Sequence, residues 1–155
     1  MVRAYFLDSS ALVKRYVAEV GSDWVRGIAD PADRNQLIIA RVTWVEVASA
    51  LARRGREGVL PKEAVARAID AFQYDLDTQY QVVELDQEVA LTAGHLVLKY
   101  PLRAYDAVQL ASVQRIQPVF ARVAAAEFVF LTADERLLTI AESEDITADN
   151  PNRHL

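Results

Sequence analysis

Cysteine is absent from the 155 residues, and histidine occurs only as His95 and His154. Without thiols the chain has neither disulfides nor thiolate metal sites, so any metal chemistry must rest chiefly on carboxylates. Long apolar runs are missing too: no window approaches the roughly 18 consecutive apolar residues of a membrane helix. The N-terminus opens straight into a strand-like segment with no basic, apolar, small-residue leader, and the expectation is a cytoplasmic protein without membrane association. A broad positive field is lacking as well, since 17 Lys and Arg stand against 22 Asp and Glu for a net charge of −5. That argues against a protein that coats nucleic acid electrostatically. It does not exclude a nuclease, because a divalent cation cancels anionic repulsion where the chemistry occurs. Repeats, low-complexity tracts and linkers are absent, and with 52% apolar residues one domain over residues 1–155 is expected.

Short apolar runs rich in β-branched and aromatic residues lie at 4–7, 37–40, 81–85 and 128–131, each reading as a buried strand. Apolar residues recurring every three to four positions predict helices over 10–19, 22–30, 43–57, 62–77, 87–98, 104–125 and 134–142. This alternation predicts an α/β fold with a mainly parallel sheet covered by helices on both faces. Gly21 and Gly58 stand where helices should stop, Ser22 can cap the next helix, and Pro61 suits a first helical turn. Pro118 leaves the segment after Ala104 as one kinked helix or two shorter ones.

Four acids fall where such a fold gathers ligands. Asp8 ends the first strand, Glu46 lies near the start of the helix after the second, Asp106 opens the long helix, and Asp134 follows the last long strand. In open α/β sheets ligands bind at the carboxyl edge, which is where these positions belong. Any one of them is explained by the preference of Asp and Glu for the positive end of a helix dipole. Together they would set four anions in one crevice, where repulsion raises their pKa values unless a cation compensates. Hard, oxygen-seeking ions such as Mg2+ or Mn2+ meet that need, and phosphodiester hydrolysis is the reaction such a site favours. Ser9 and Ser10 would cap the helix or orient Asp8.

Read together, these segments resemble the PIN-domain family, and within it the VapC-like toxins of toxin–antitoxin pairs. Tyr5-Phe6-Leu7-Asp8-Ser9-Ser10-Ala11 is similar to the family's opening strand and first acidic residue, and Thr43-Trp44-Val45-Glu46-Val47-Ala48 to its second acidic motif. Leu102-Arg103-Ala104-Tyr105-Asp106-Ala107 resembles the third, and Leu131-Thr132-Ala133-Asp134-Glu135-Arg136 the fourth, with Asp149-Asn150-Pro151-Asn152 closing the series. Asp145 departs from the pattern where a glycine is common before the final strand, and the stretch around Pro118 is longer than in compact relatives. The resemblance covers nearly the whole chain. It implies a three-layer α/β/α domain that is a Mg2+- or Mn2+-dependent endoribonuclease acting on RNA, often a homodimer, inhibited by a cognate antitoxin. Asp8, Glu46, Asp106 and Asp134 would be both its catalytic carboxylates and its metal ligands.

Arg53, Arg54 and Arg56 read either as phosphate or partner contacts or as cations complementing a helix C-terminus. Arg15 and Arg103 flank acidic motifs and would touch RNA or pair with a site carboxylate; His95 would face solvent or pack, and Trp24, Trp44 and Phe72 would pack in the core or an interface. A phosphoaspartate enzyme of the haloacid-dehalogenase type would need a second aspartate where Ser10 stands. A receiver domain would need an acidic pair near the first strand and a late lysine. The stronger rival is a catalytically silent PIN-like module that binds RNA or a protein partner, against which the complete set of four acids counts.

Overall fold

The computed structural model describes residues 2–123 and 126–155. Its sheet has five strands in the order β3-β2-β1-β4-β5, all parallel: β1 (Val2–Leu7), β2 (Gln36–Ala40), β3 (Tyr80–Val83), β4 (Ala126–Leu131) and β5 (Ala148–Asp149). Successive strand residues point to opposite faces, and both faces are covered. Ala4, Phe6, Ile38 and Phe130 join one core with α5 (Gln87–Lys99), α6 (Ala104–Ala121) and α7 (Glu135–Ser143). Tyr5, Leu7, Leu37, Ile39 and Leu131 join the other with α1 (Ser9–Tyr16), α2 (Ser22–Ile28), α3 (Val42–Arg56) and α4 (Lys62–Thr78). The result is the three-layer α/β/α arrangement. Phe6, Ile38, Ile39, Phe130 and Leu131 are fully buried, as strands covered on both sides require.

The chain fills β1, β2 and β3 outward on one side, then crosses to place β4 and β5 on the other. The switch point therefore lies between β1 and β4, whose last residues Leu7 and Leu131 are paired. Asp8 leaves one of these strands and Thr132 the other.

Several boundaries differ from the sequence reading, each for a local reason. Helix α1 stops at Tyr16 and not at residue 19, because the Ser22 hydroxyl donates to the Val17 carbonyl and accepts from the Glu19 amide, both at 2.9 Å, closing the intervening loop. Ser22 thus caps nothing of its own; Gly21 is the N-cap of α2, in a left-handed conformation with φ 82°. A Cβ there would meet the Pro151 carbonyl oxygen at 2.5 Å. Pro61 is the N-cap of α4 and Gly58, φ 73°, follows α3. Strand β3 ends before Leu85, which is 44% exposed. Helix α6 runs unbroken through Pro118, since the missing N–H falls in its last turns, where a single bond is lost. Its expected final residues, Ala124 and Ala125, lie outside the described residues.

The final turn of α7 explains the unusual Asp145. Its amide donates to the Glu142 carbonyl at 3.1 Å and the Ile146 amide to the Ala141 carbonyl at 3.1 Å, the paired bonds of a Schellman stop. That motif needs a left-handed residue, and Asp145 takes φ 59°. Replacing the exposed Asp145 by glycine relieves that conformation, and thermal denaturation should show Asp145→Gly more stable by about 1 kcal/mol, a rise in Tm of roughly 2–4 °C. A fall in Tm would contradict this reading.

Candidate functional site

Parallel strands end together, so the acids that follow them share one edge. Asp8 is the N-cap of α1, where its Oδ1 accepts from the Ala11 amide at 2.9 Å and from the Ser10 hydroxyl at 2.6 Å. Ser10 in turn accepts from the Ala133 amide at 2.9 Å and lies 3.4 Å from the Thr132 hydroxyl. One serine hydroxyl thereby ties the carboxylate after β1 to the loop after β4. It orients Asp8; the capping expected of the serines is done by Asp8 itself.

Glu46 lies in the second turn of α3. Its Oε2 accepts from Ser9 at 3.2 Å and its Oε1 from Gln109 Nε2 at 2.8 Å. Gln109 is 1% exposed, also donates to the Thr43 hydroxyl at 2.8 Å, and leaves its own Oε1 without a partner among the described residues. The sequence reading missed Gln109. The available signal was its spacing from Asp106: three residues on in α6 puts it on the same helix face. Asp106 is in the first turn of α6, and Asp134 is the exposed N-cap of α7, accepting from the Arg136 amide at 2.9 Å and the Leu137 amide at 3.3 Å. The positive ends of α1, α6 and α7 thus meet the acids.

Charge links the four in a row. Burial is the largest cause holding Asp8 up, to about 6, against hydrogen bonds from Ser10, Thr132 and Ala11, with Glu46 adding repulsion. Burial likewise raises Glu46, opposed by Gln109 and Ser9 and aided by repulsion from Asp106. Asp106 is raised by burial and then by Asp134, while Arg103 and Arg136 pull it down. The structure therefore brings Asp8, Glu46, Asp106 and Asp134 into one neighbourhood. No group of three or more His, Asp or Glu side chains among the described residues closes tightly enough to enclose an ion unaided.

The secondary candidates separate. Arg15 is remote from the site: α1 runs back from the carboxyl edge, so its last turn reaches the opposite one, where Arg15 meets the Tyr80 hydroxyl and Gln79 at 2.7 Å and Asp75 at 3.4 Å. Arg103 stays beside Asp106. Of the three arginines on α3, Arg54 turns to Glu19 at 3.2 Å, whereas Arg53 shares a cleft with Glu46. His95 is exposed, and His154 stacks on Trp24 with ring centroids 3.9 Å apart. Trp44 packs on the buried Phe72.

Because folding raises the Asp8 pKa, the fold holds this proton more tightly than the unfolded chain does. The stability it contributes is complete below about pH 4 and lost as pH rises through about 6. Asn keeps the acceptor that Ser10 and Ala11 use. In metal-free urea titrations Asp8→Asn should exceed the parent by up to about 3 kcal/mol at pH 8, with the difference shrinking towards pH 4. An unchanging difference across that range would mean that Asp8 is not held up by burial.

Comparison with known proteins places this edge in context. The PIN domain family model matches residues 5–143. Ribonuclease VapC45 of Mycobacterium tuberculosis is 35% identical over 107 residues, 69% of this chain and 72% of that protein. The fold is similar to a chain of a toxin–antitoxin complex from Klebsiella pneumoniae, with a TM-score of 0.63 and 16% identity, covering 95% of this chain and 97% of that one. It is similar as well to a chain of VapBC2 from Rickettsia felis bound to promoter DNA, with a TM-score of 0.62 and 13% identity, covering 95% and 98%.

Proposed function

The chain belongs to the PIN-domain family, and from that membership we propose that it is an endoribonuclease hydrolysing RNA phosphodiester bonds with a carboxylate-bound Mg2+ or Mn2+. The proposal extends to one nuclease domain over residues 1–155, working in the cytoplasm as a homodimer and as the toxin held in check by a cognate antitoxin. The observation that carries it is the row of mutually repelling acids, Asp8 to Glu46 to Asp106 to Asp134, at the carboxyl edge beside the switch point. The ribonuclease name of the 35% identical relatives supports the reaction class, and the toxin–antitoxin structures of similar fold support the partner.

The residues fit a hard divalent ion. Their donors are oxygens only, and burial, with repulsion from a neighbouring acid behind it, raises Asp8, Glu46 and Asp106, so added positive charge would be favourable beside them. An open set suits Mg2+, which is commonly held by one or two carboxylates, its own waters and substrate phosphate. Asp8, Glu46 and Asp106 would hold it, with Asp134 at the rim. When bound, the ion supplies Lewis acidity toward the phosphate and a more acidic water.

The chain's own groups do the rest. Ser10 and the Ala11 amide fix the direction of Asp8 before substrate arrives. Gln109 and Ser9 fix the direction of Glu46 in the same way. Arg103 and Arg136, beside Asp106, offer positive charge to the RNA backbone.

Two measurements test this reading. Purified, partner-free protein should cleave RNA when Mg2+ or Mn2+ is added, and Asp8→Asn should abolish cleavage; equal cleavage by the variant would place the activity elsewhere, and RNA binding without cleavage would favour the silent module. Metal should also raise the melting temperature of the parent more than that of Asp106→Asn, because a ligand of the folded state stabilises by mass action. Equal shifts would remove Asp106 from the ligand set.

A further inference from the structure

Resting on the ribonuclease reading above, we infer that the cleft between α3 and α6 beside Glu46 is a subsite for one nucleotide of single-stranded RNA, with its base against Tyr105 and its phosphate on Arg53. The cleft has a volume of about 360 Å³ and is lined by Ser9, Val45, Glu46, Ser49, Arg53 and Tyr105 among others. It is continuous with the acidic row through Glu46 and Ser9, which are themselves hydrogen-bonded.

Three features match a nucleotide. Tyr105, next to Asp106 at the start of α6, is 50% exposed, and Val45, which lines the same cleft, is 55% exposed, so an aromatic ring and an aliphatic side chain both present open surface beside the acids. Base stacking on such a ring requires a base freed from its neighbours, which selects single strands. Arg53 is exposed and makes no ion pair among the described residues, in contrast to its neighbour Arg54. Glu46, Ser49 and Arg53 sit at helical spacing along one stripe of α3, and the seven residues from Glu46 to Arg53 rise about 10 Å along the axis. That distance gives Arg53 a phosphate other than one held at the carboxylates. The Ser9 and Ser49 hydroxyls add hydrogen-bonding groups for a sugar or base edge. A net charge of −5 makes a single well-placed cation count for more here than on a basic surface.

The test uses the Asp8→Asn protein, which binds without cutting, and a fluorescent single-stranded RNA oligomer. Added Tyr105→Leu should weaken binding about tenfold and Tyr105→Phe should not, because stacking needs the ring and not the hydroxyl. Added Arg53→Ala should weaken binding severalfold and lower the slope of log affinity against log salt by about one, while the exposed control Arg56→Ala leaves both unchanged. In the cleaving parent the same substitutions should raise KM more than they lower kcat. Binding unaffected by Arg53→Ala and Tyr105→Leu, or no binding at all, overturns the subsite. So does a change in sedimentation mass with these variants, which would make the cleft a contact between copies of the chain. If the parent binds RNA with these sensitivities but never cuts it, the ribonuclease reading fails and the subsite stands.

Discussion

The carboxylate of Asp8 is 4% exposed at the end of the central strand. Water cannot solvate its charge there, and the two donors aimed at Oδ1, the Ala11 amide and the Ser10 hydroxyl, offset only part of the loss. Ionising the group therefore costs stability unless positive charge sits beside it. Everything else at the edge follows from that constraint. Ser10 couples Asp8 to the loop after β4, so Thr132 and Ala133 are placed by the same hydroxyl, and the Thr132 hydroxyl in turn accepts from the Asp134 amide. Glu46 and Asp106 then pass the repulsion outward, each raised mainly by its own burial and further by the next acid in the row. An edge built this way stores electrostatic strain that a divalent ion would relieve, and this is the physical content of the nuclease proposal.

The layered fold was legible because both faces of the sheet are covered. Strands buried on two sides are written as continuous apolar runs, as in Phe6-Leu7 and Phe130-Leu131, and such runs stand out against the helical period. Strand β5 was legible only through family likeness, since Ala148–Asp149 is two residues of no particular propensity held by pairing with β4. The end of α1 was misread for a tertiary reason: Ser22, six residues past the helix, closes the loop that ends it. No local pattern announces such a contact. Asp145 is the opposite case, a departure visible in the sequence whose meaning, a left-handed helix stop, needed the backbone.

At the site, the acids were legible because strand ends and helix starts are marked by composition, and parallel topology converts those marks into one edge. Their supports were less so. Gln109 is a polar residue in an apolar helix face, and its partners Thr43 and Glu46 lie more than sixty positions earlier in the chain. Arg15 looked like a site residue by its nearness to Asp8 in sequence, but two turns of helix carry it to the opposite edge of the sheet, against Tyr80. The three arginines of α3 looked like one patch, and the helical twist sends Arg54 to Glu19 and Arg53 to the cleft at Glu46, leaving Arg56 exposed at neither. The helix-capping explanation of the acids holds alongside the functional one, since Asp8 and Asp134 are both N-caps.

The central claim is that Asp8 is a buried anion awaiting a cation. A carboxyl-carbon NMR titration of the intact protein, with and without Mg2+, tests it most directly. In the metal-free protein the Asp8 carboxyl should titrate near 6, and Mg2+ should move that transition markedly downward. A titration at the ordinary 3.8 that Mg2+ leaves in place would contradict the account.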